Sequence, residues 1–193
     1  MTDKEKNRIA ELRWEIERKE KRAKLEPKLI SILPKNSFEF LSFEESDSFQ
    51  SKTDDWPNDK WKENLYFQTE IENTLIIENI IKNFLDLITD SELYIFLMNY
   101  NFGLIKISKE KLSDNWIDLI EIDQDEIYLF NPKSTEFICI EKTEEIISGR
   151  ENEGPKWIYE ITYSNNELKE KCKSTTHNKV LWQKTSKNSL FFY

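Results

Sequence analysis

Residues 3–25 contain neither glycine nor proline and are dense in Glu, Lys and Arg, residue types that lose little freedom in a helix. The pattern predicts a helix that ends before Pro27, which makes residues 1–28 a charged N-terminal helical segment. Its apolar positions are sparse: Ile9, Leu12, Ile16 and Ala23 mark a stripe, Lys19 interrupts it and Trp14 lies off the line. A long coiled coil needs apolar positions sustained over several heptads, which this stripe does not supply. The expected arrangement is a charged helix lying on the domain, with two alternatives: pairing between copies of the chain, or a solvated arm.

From residue 29 the chain turns apolar, and Phe38 and Phe40 alternate as a strand requires. Residues 44–63 then read as an acidic, serine-rich stretch that also holds Phe49, Trp56 and Trp61, either an exposed functional loop or a long loop that Trp56 and Trp61 pin onto the core. Residues 74–89 are the clearest helix of the body, with Ile77, Ile80, Ile81, Phe84, Leu85 and Ile88 at helical spacing and Glu78, Lys82 and Asp86 opposite. Six strands are expected after it, at residues 92–98, 102–108, 116–123, 126–131, 135–141 and 156–163. The short Asn-, Asp-, Pro- and Gly-bearing connections between them suit antiparallel hairpins. The predicted class is α+β: a charged N-terminal helix, then a single domain over residues 29–193. In that domain one amphipathic helix packs on a mainly antiparallel meander of about six strands.

A chain of 193 residues buries roughly 70% of its unfolded surface, so it needs no disulfide or structural metal. Its two cysteines, Cys139 and Cys172, fit a reducing compartment, and residues 1–28 are too charged for a signal peptide, so a cytoplasmic location and no membrane contact are expected. The net charge of −9 hides three blocks: residues 1–28 carry +3, residues 164–193 carry +4, and residues 29–163, with twelve basic and twenty-eight acidic side chains, carry −16. Such a body repels nucleic acid and attracts basic partners at salt-sensitive rates.

The inventory argues against catalysis. His177 is the only histidine and no paired metal-ligand motif exists, so no metal is expected. Gly103, Gly149 and Gly154 are isolated, which removes phosphate-cradling loops and dinucleotide fingerprints; no cofactor is expected. A Cys172–His177 dyad, with lysines to lower the thiol pKa, is the weak exception. Asp114, Asp118, Glu121, Asp123, Asp125 and Glu126 form an acidic run with no base among them, in which Asp123 and Asp125 suit a turn better than a calcium loop. The basic side chains of the first helix are interleaved with Glu11, Glu15, Glu17 and Glu20 at pairing distance, so direct nucleic-acid binding is not expected there either. The hexapeptide Glu63-Asn64-Leu65-Tyr66-Phe67-Gln68 is identical to the recognition site of a potyviral cysteine protease, though the surrounding composition runs through it unchanged.

What remains is binding. Asp54, Asp55, Trp56, Asp59 and Trp61 are the candidate partner-binding residues, the tryptophans as anchors and the carboxylates as steering charges. The stretch from Phe102 through Asn115-Trp116 to Phe130-Asn131-Pro132 and on to Glu141 resembles the strand-rich half of the SMI1/KNR4-like immunity superfamily. The resemblance covers under half the chain, and the long charged helix and lysine-rich tail depart from the pattern, so no functional residue is carried over. It implies an acidic cytosolic immunity protein, not an enzyme, that occludes a basic toxin domain. The alternatives are a viral or plasmid-borne nucleic-acid mimic that inhibits a host protein, and an assembly protein that pairs through its first helix.

Overall fold

The computed structural model describes residues 2–53, 65–97, 103–123, 125–146 and 149–173. Helix α1 (Asp3–Ile32) opens with a capping box, in which the Thr2 hydroxyl accepts from the Glu5 N–H and the Glu5 carboxylate accepts from the Thr2 N–H. The helix runs through Pro27 instead of stopping before it. An interior proline costs about 3 kcal/mol. Leu25, Leu29 and Leu33 flank it and are almost wholly buried, and at roughly 1.5–3 kcal/mol for each buried side chain they outweigh that loss.

Strand β1 (Phe38–Phe40) is followed by helix α2 (Phe43–Gln50), so the first part of the acidic serine-rich stretch is helix and not loop. Ser42 explains the difference. Its hydroxyl accepts from the Glu45 N–H while Glu45 caps the Ser42 N–H in return, and Glu44 and Glu45 sit in the first turn where the helix dipole favours them. The remaining elements are β2 (Tyr66–Glu70), α3 (Thr74–Leu87), β3 (Glu92–Phe96), β4 (Ile105–Ser108), α4 (Lys109–Ile122), β5 (Glu126–Phe130), β6 (Phe137–Glu145), β7 (Lys156–Tyr163) and α5 (Asn166–Lys173).

Residues 116–123, expected as a strand, form the second half of α4 and its C-terminal turn. Leu112, Trp116, Leu119 and Ile120 are buried at helical spacing, and Ser108 caps the helix by accepting from the Lys111 N–H. A short apolar run fits either period, and the cap eight residues upstream decides between them.

The sheet has the order β1-β4-β3-β5-β6-β7-β2, with every neighbouring pair antiparallel. Five of the six expected strands are present, and the edge strands β1 and β2 bring the described sheet to seven. The fold is therefore α+β, as expected, with more strands at its edges. Side chains alternate between two faces. The first face carries Leu93, Ile95, Ile107, Leu129, Ile140 and Ile161 into the main core, under α3, α4, α5 and the C-terminal half of α1. The second face carries a smaller aromatic cluster in which Phe96, Tyr128, Phe130 and Phe137 meet Phe49 of α2.

Helix α2 is held close against the sheet through Gly103, where φ is +101°. The buried Ser46 hydroxyl accepts from the Leu104 N–H at 3.0 Å, and a Cβ added at Gly103 would lie 2.6 Å from Ser46 Cβ. Gly103→Ala is expected to lower stability by about 1–3 kcal/mol through this overlap, beyond the backbone strain alone. Gly149→Ala, also at positive φ but with open space around it, isolates the strain contribution. Equal shifts of the denaturation midpoint for the two variants would contradict the packing account.

Candidate functional site

The residues singled out for partner binding, Asp54, Asp55, Trp56, Asp59 and Trp61, lie outside the described residues. The acidic stretch that leads to them is described as far as Thr53, and two of its three carboxylates, Glu45 and Asp47, are engaged within the chain. Arg18 of α1 donates to both oxygens of Asp47, at 2.8 and 2.6 Å, and hydrogen bonds from Ser42 hold the Glu45 carboxyl below its ordinary value. Beside α2, a cleft of about 570 Å³ opens over β1, β4 and β3. Lys106 on its wall is held above the ordinary lysine value by its hydrogen bond to Glu92 at 2.8 Å. Within the lining, Lys106 also lies 3.9 Å from Glu39.

The acidic run of residues 114–126 is not one patch. It divides three ways. Asp114, Asp118 and Glu121 join Glu110 on the exposed side of α4, beside the half-exposed Ile117. Glu110 and Asp114 lie before, and Ile117, Asp118 and Glu121 after, a break in the helix at Asn115 (φ −131°, ψ 16°), and all five form an exposed arc away from the buried Leu112 and Leu119. Among the described residues, a basic partner on this arc reaches Glu121. Lys142 donates to it at 3.0 Å and also lies 3.6 Å from Asp125, and the Glu121 bond holds the lysine above its ordinary value. Asp123 is buried at the C-terminus of α4, and Asp125 adopts a left-handed φ of +70°, the turn role expected for the pair.

Glu126 points to the far side of the sheet. There the register aligns Glu126 of β5 with Glu141 of β6, Glu141 with Glu160 of β7, and Glu160 with Gln68 of β2. Three carboxylates in one rung, about 4.8 Å apart from strand to strand, oppose pairing. The chain spreads their charge over neutral donors. Gln68 Nε2 donates to Glu160 at 2.9 Å, and the Tyr128 hydroxyl and Cys139 thiol donate to the same oxygen of Glu126 at 3.2 and 3.5 Å. Burial and then the charge of Glu160 push the Glu145 carboxyl above its ordinary value. The spacing of the α4 stripe is present in the sequence once the segment is read as a helix. The sheet rung depends on register between strands far apart in sequence, which no local pattern carries.

Neither cysteine has the setting of a nucleophile. Cys172, on the buried side of α5, lies beside Tyr163, and burial pushes its thiol up to about 12, the reverse of the activation a Cys172–His177 dyad requires. His177 lies outside the described residues. Among the described residues no group of three or more His, Cys, Asp or Glu side chains is placed to hold a metal ion, and no helix is long and apolar enough to cross a membrane. No protein-family model matches this sequence, and no curated protein matches it.

The Cys172 thiol has a folded value above the ordinary 9.0. Its contribution to stability is therefore complete below pH 9 and is lost as the pH rises through about 12. Cys172→Ala is expected to flatten that alkaline limb of the denaturation midpoint. In the native protein at neutral pH, a water-soluble disulfide reagent should label neither cysteine until denaturant is added. Immediate labelling of Cys172 would contradict its placement.

Proposed function

We propose that this chain is an acidic binding protein whose partner is a basic protein domain, most concretely an immunity protein that occludes and neutralises a toxin. The observation that carries the reading is the outward face of α4, where the exposed Glu110, Asp114, Asp118 and Glu121 run along one side of the half-exposed Ile117. An apolar side chain bordered by carboxylates suits a contact that steers a cationic partner and then buries an apolar anchor. The −16 balance of residues 29–163 extends that attraction beyond the contact itself. On sequence grounds Asp54, Asp55, Trp56, Asp59 and Trp61 have the same chemistry, with tryptophan as the apolar anchor. The location that suits this role is the cytoplasm, and the resemblance over residues 102–141 to the SMI1/KNR4-like superfamily points the same way.

A second reading, mimicry of a nucleic acid, draws on the same stripe. Carboxylates that recur about once per 5.4 Å helical turn present a line of negative charge to a surface built for phosphates.

The test is affinity capture with the immobilised full chain, beside an Asp114→Lys/Asp118→Lys variant, at low and high salt. A basic protein held by the wild type at low salt, released at high salt and bound at least tenfold more weakly by the variant is expected. When that protein is expressed in cells its toxicity should be relieved by the wild-type chain and not by the variant. Displacement of the captured protein by duplex DNA, with no toxicity to relieve, would favour the mimic. Equal capture by wild type and variant would overturn the α4 contact under either reading.

A further inference from the structure

Helix α2 crosses the second face of the sheet from the β1 edge inward. Phe43 shares the Arg22 guanidinium with Phe40 of β1, and Phe49 meets Tyr94 of β3 with ring centres 5.2 Å apart. The cleft beside α2 therefore has two walls that run the same way. On the sheet, the register aligns Glu39 of β1 with Lys106 of β4, and Lys106 with Tyr94 of β3. On the helix, Glu44 and Glu45 stand in the first turn at the β1 end, Ser48 lies one turn on, and Lys52 follows the last turn at the β3 end. Carboxylates thus gather at one end of the cleft and an amine with hydroxyls at the other, two strand spacings or about 10 Å away. Lys106, between them, is balanced by Glu92 at 2.8 Å and Glu39 at 3.9 Å. The ends are not balanced. Among the described residues Glu44 and Lys52 have no ion pair, and the Ser48 and Tyr94 hydroxyls have no hydrogen bond. Glu44 and Lys52 are eight residues apart, beyond the three- or four-residue spacing at which helix side chains pair.

We propose that this cleft binds a short peptide with free ends, about three residues long, whose ammonium donates to Glu39 and Glu44 and whose carboxylate accepts from Lys52 and the Tyr94 hydroxyl. The spacing sets the length. An extended chain covers about 3.3–3.6 Å per residue, so three residues hold their terminal charges about 10 Å apart and two fall short. The cleft, at about 570 Å³, has the size of a small-ligand site. Its floor suits the middle of such a peptide: Phe40, Phe49 and Tyr94 offer rings to an apolar side chain, and the Lys106 ammonium has an N–H to donate to a peptide carbonyl. The two ends add charge-assisted bonds, the stronger kind. Net charge favours a zwitterion over a simple anion, which the −16 of residues 29–163 would repel. The cleft is separate from the α4 contact, because α4 packs on the main-core face of the sheet and the cleft opens on the other.

Titration of the isotope-labelled full chain with the tripeptide Ala-Phe-Ala, followed by backbone amide chemical shifts, tests it. Saturable shifts are expected, concentrated in residues 39–52 and around Tyr94 and Lys106. The N-acetylated and C-amidated tripeptides should each bind roughly fivefold more weakly or worse, and the dipeptide Ala-Phe should bind more weakly than the tripeptide. Lys52→Gln should bind the free and amidated peptides alike, and Glu39→Gln/Glu44→Gln should lose most of the preference for the free amine. All three side chains are exposed, so the melting midpoints of these variants should stay close to that of the wild type. Asp114→Lys/Asp118→Lys should bind the tripeptide as the wild type does, which separates this result from the partner capture. Absence of shifts at millimolar peptide, capped peptides that bind as tightly as the free one, or a Lys52→Gln variant that keeps its preference for the free carboxylate would each overturn the proposal.

Discussion

Two arginines one turn apart on α1 hold the β1 edge of the sheet closed. The guanidinium groups of Arg18 and Arg22 lie 4.3 and 4.2 Å from the centre of the Phe43 ring, and Arg22 also lies 4.8 Å from that of Phe40. Each has a separate anion or carbonyl to satisfy it, Asp47 for Arg18 and the Leu41 carbonyl, at 2.7 Å, for Arg22. Burial and the neighbouring Arg18 charge lower the Arg22 pKa, so this arrangement carries an electrostatic cost that the aromatic faces and acceptors offset. Helix α2 depends on it. Phe43 packs on the main core and Phe49 enters the cluster on the opposite face, so α2 straddles a three-residue edge strand that pairs on one side only.

The latch is one of several features that the sequence conceals. The period of Ile77 to Ile88 is legible because α3 buries one face and exposes the other, whereas β7 is buried on both faces from Ile158 to Tyr163 and is legible through its β-branched and aromatic content. Pro27 misleads because a local rule, that proline ends helices, is overridden by leucines on both sides that reach the core. Residues 116–123 mislead because adjacent apolar pairs, Trp116-Ile117 and Leu119-Ile120, satisfy both periods over so short a span. Arg18 reads as one more charge in a solvated helix, and its burial follows only from Asp47, twenty-nine residues away. The acidic run at residues 114–126 is visible as composition, but the fold disperses it over α4, a turn and the far face of the sheet.

That dispersal also shapes the field of the molecule. The α4 stripe and the Glu126–Glu141–Glu160 rung lie on opposite sides of one sheet, so the charge of the body is not gathered at a single pole. The two differ in how their charge is met inside the chain. Amide, hydroxyl and thiol donors reach into the rung, whereas Asp114 and Asp118 face solvent. A row whose charge is already shared with internal donors has less to offer an approaching cation than one hydrated on an open helix.

Strand β2 gives the protease-like hexapeptide an unexpected use. Tyr66, Phe67 and Gln68 are paired with Thr162, Ile161 and Glu160 of β7, and Phe67 is buried. A protease that reads this sequence needs the chain extended and released from its neighbour, so the folded edge withholds the Gln68-Thr69 bond. The enzyme commonly employed to strip purification tags thereby becomes a clock for this molecule, its cutting rate reporting how often the last strand of the sheet peels away.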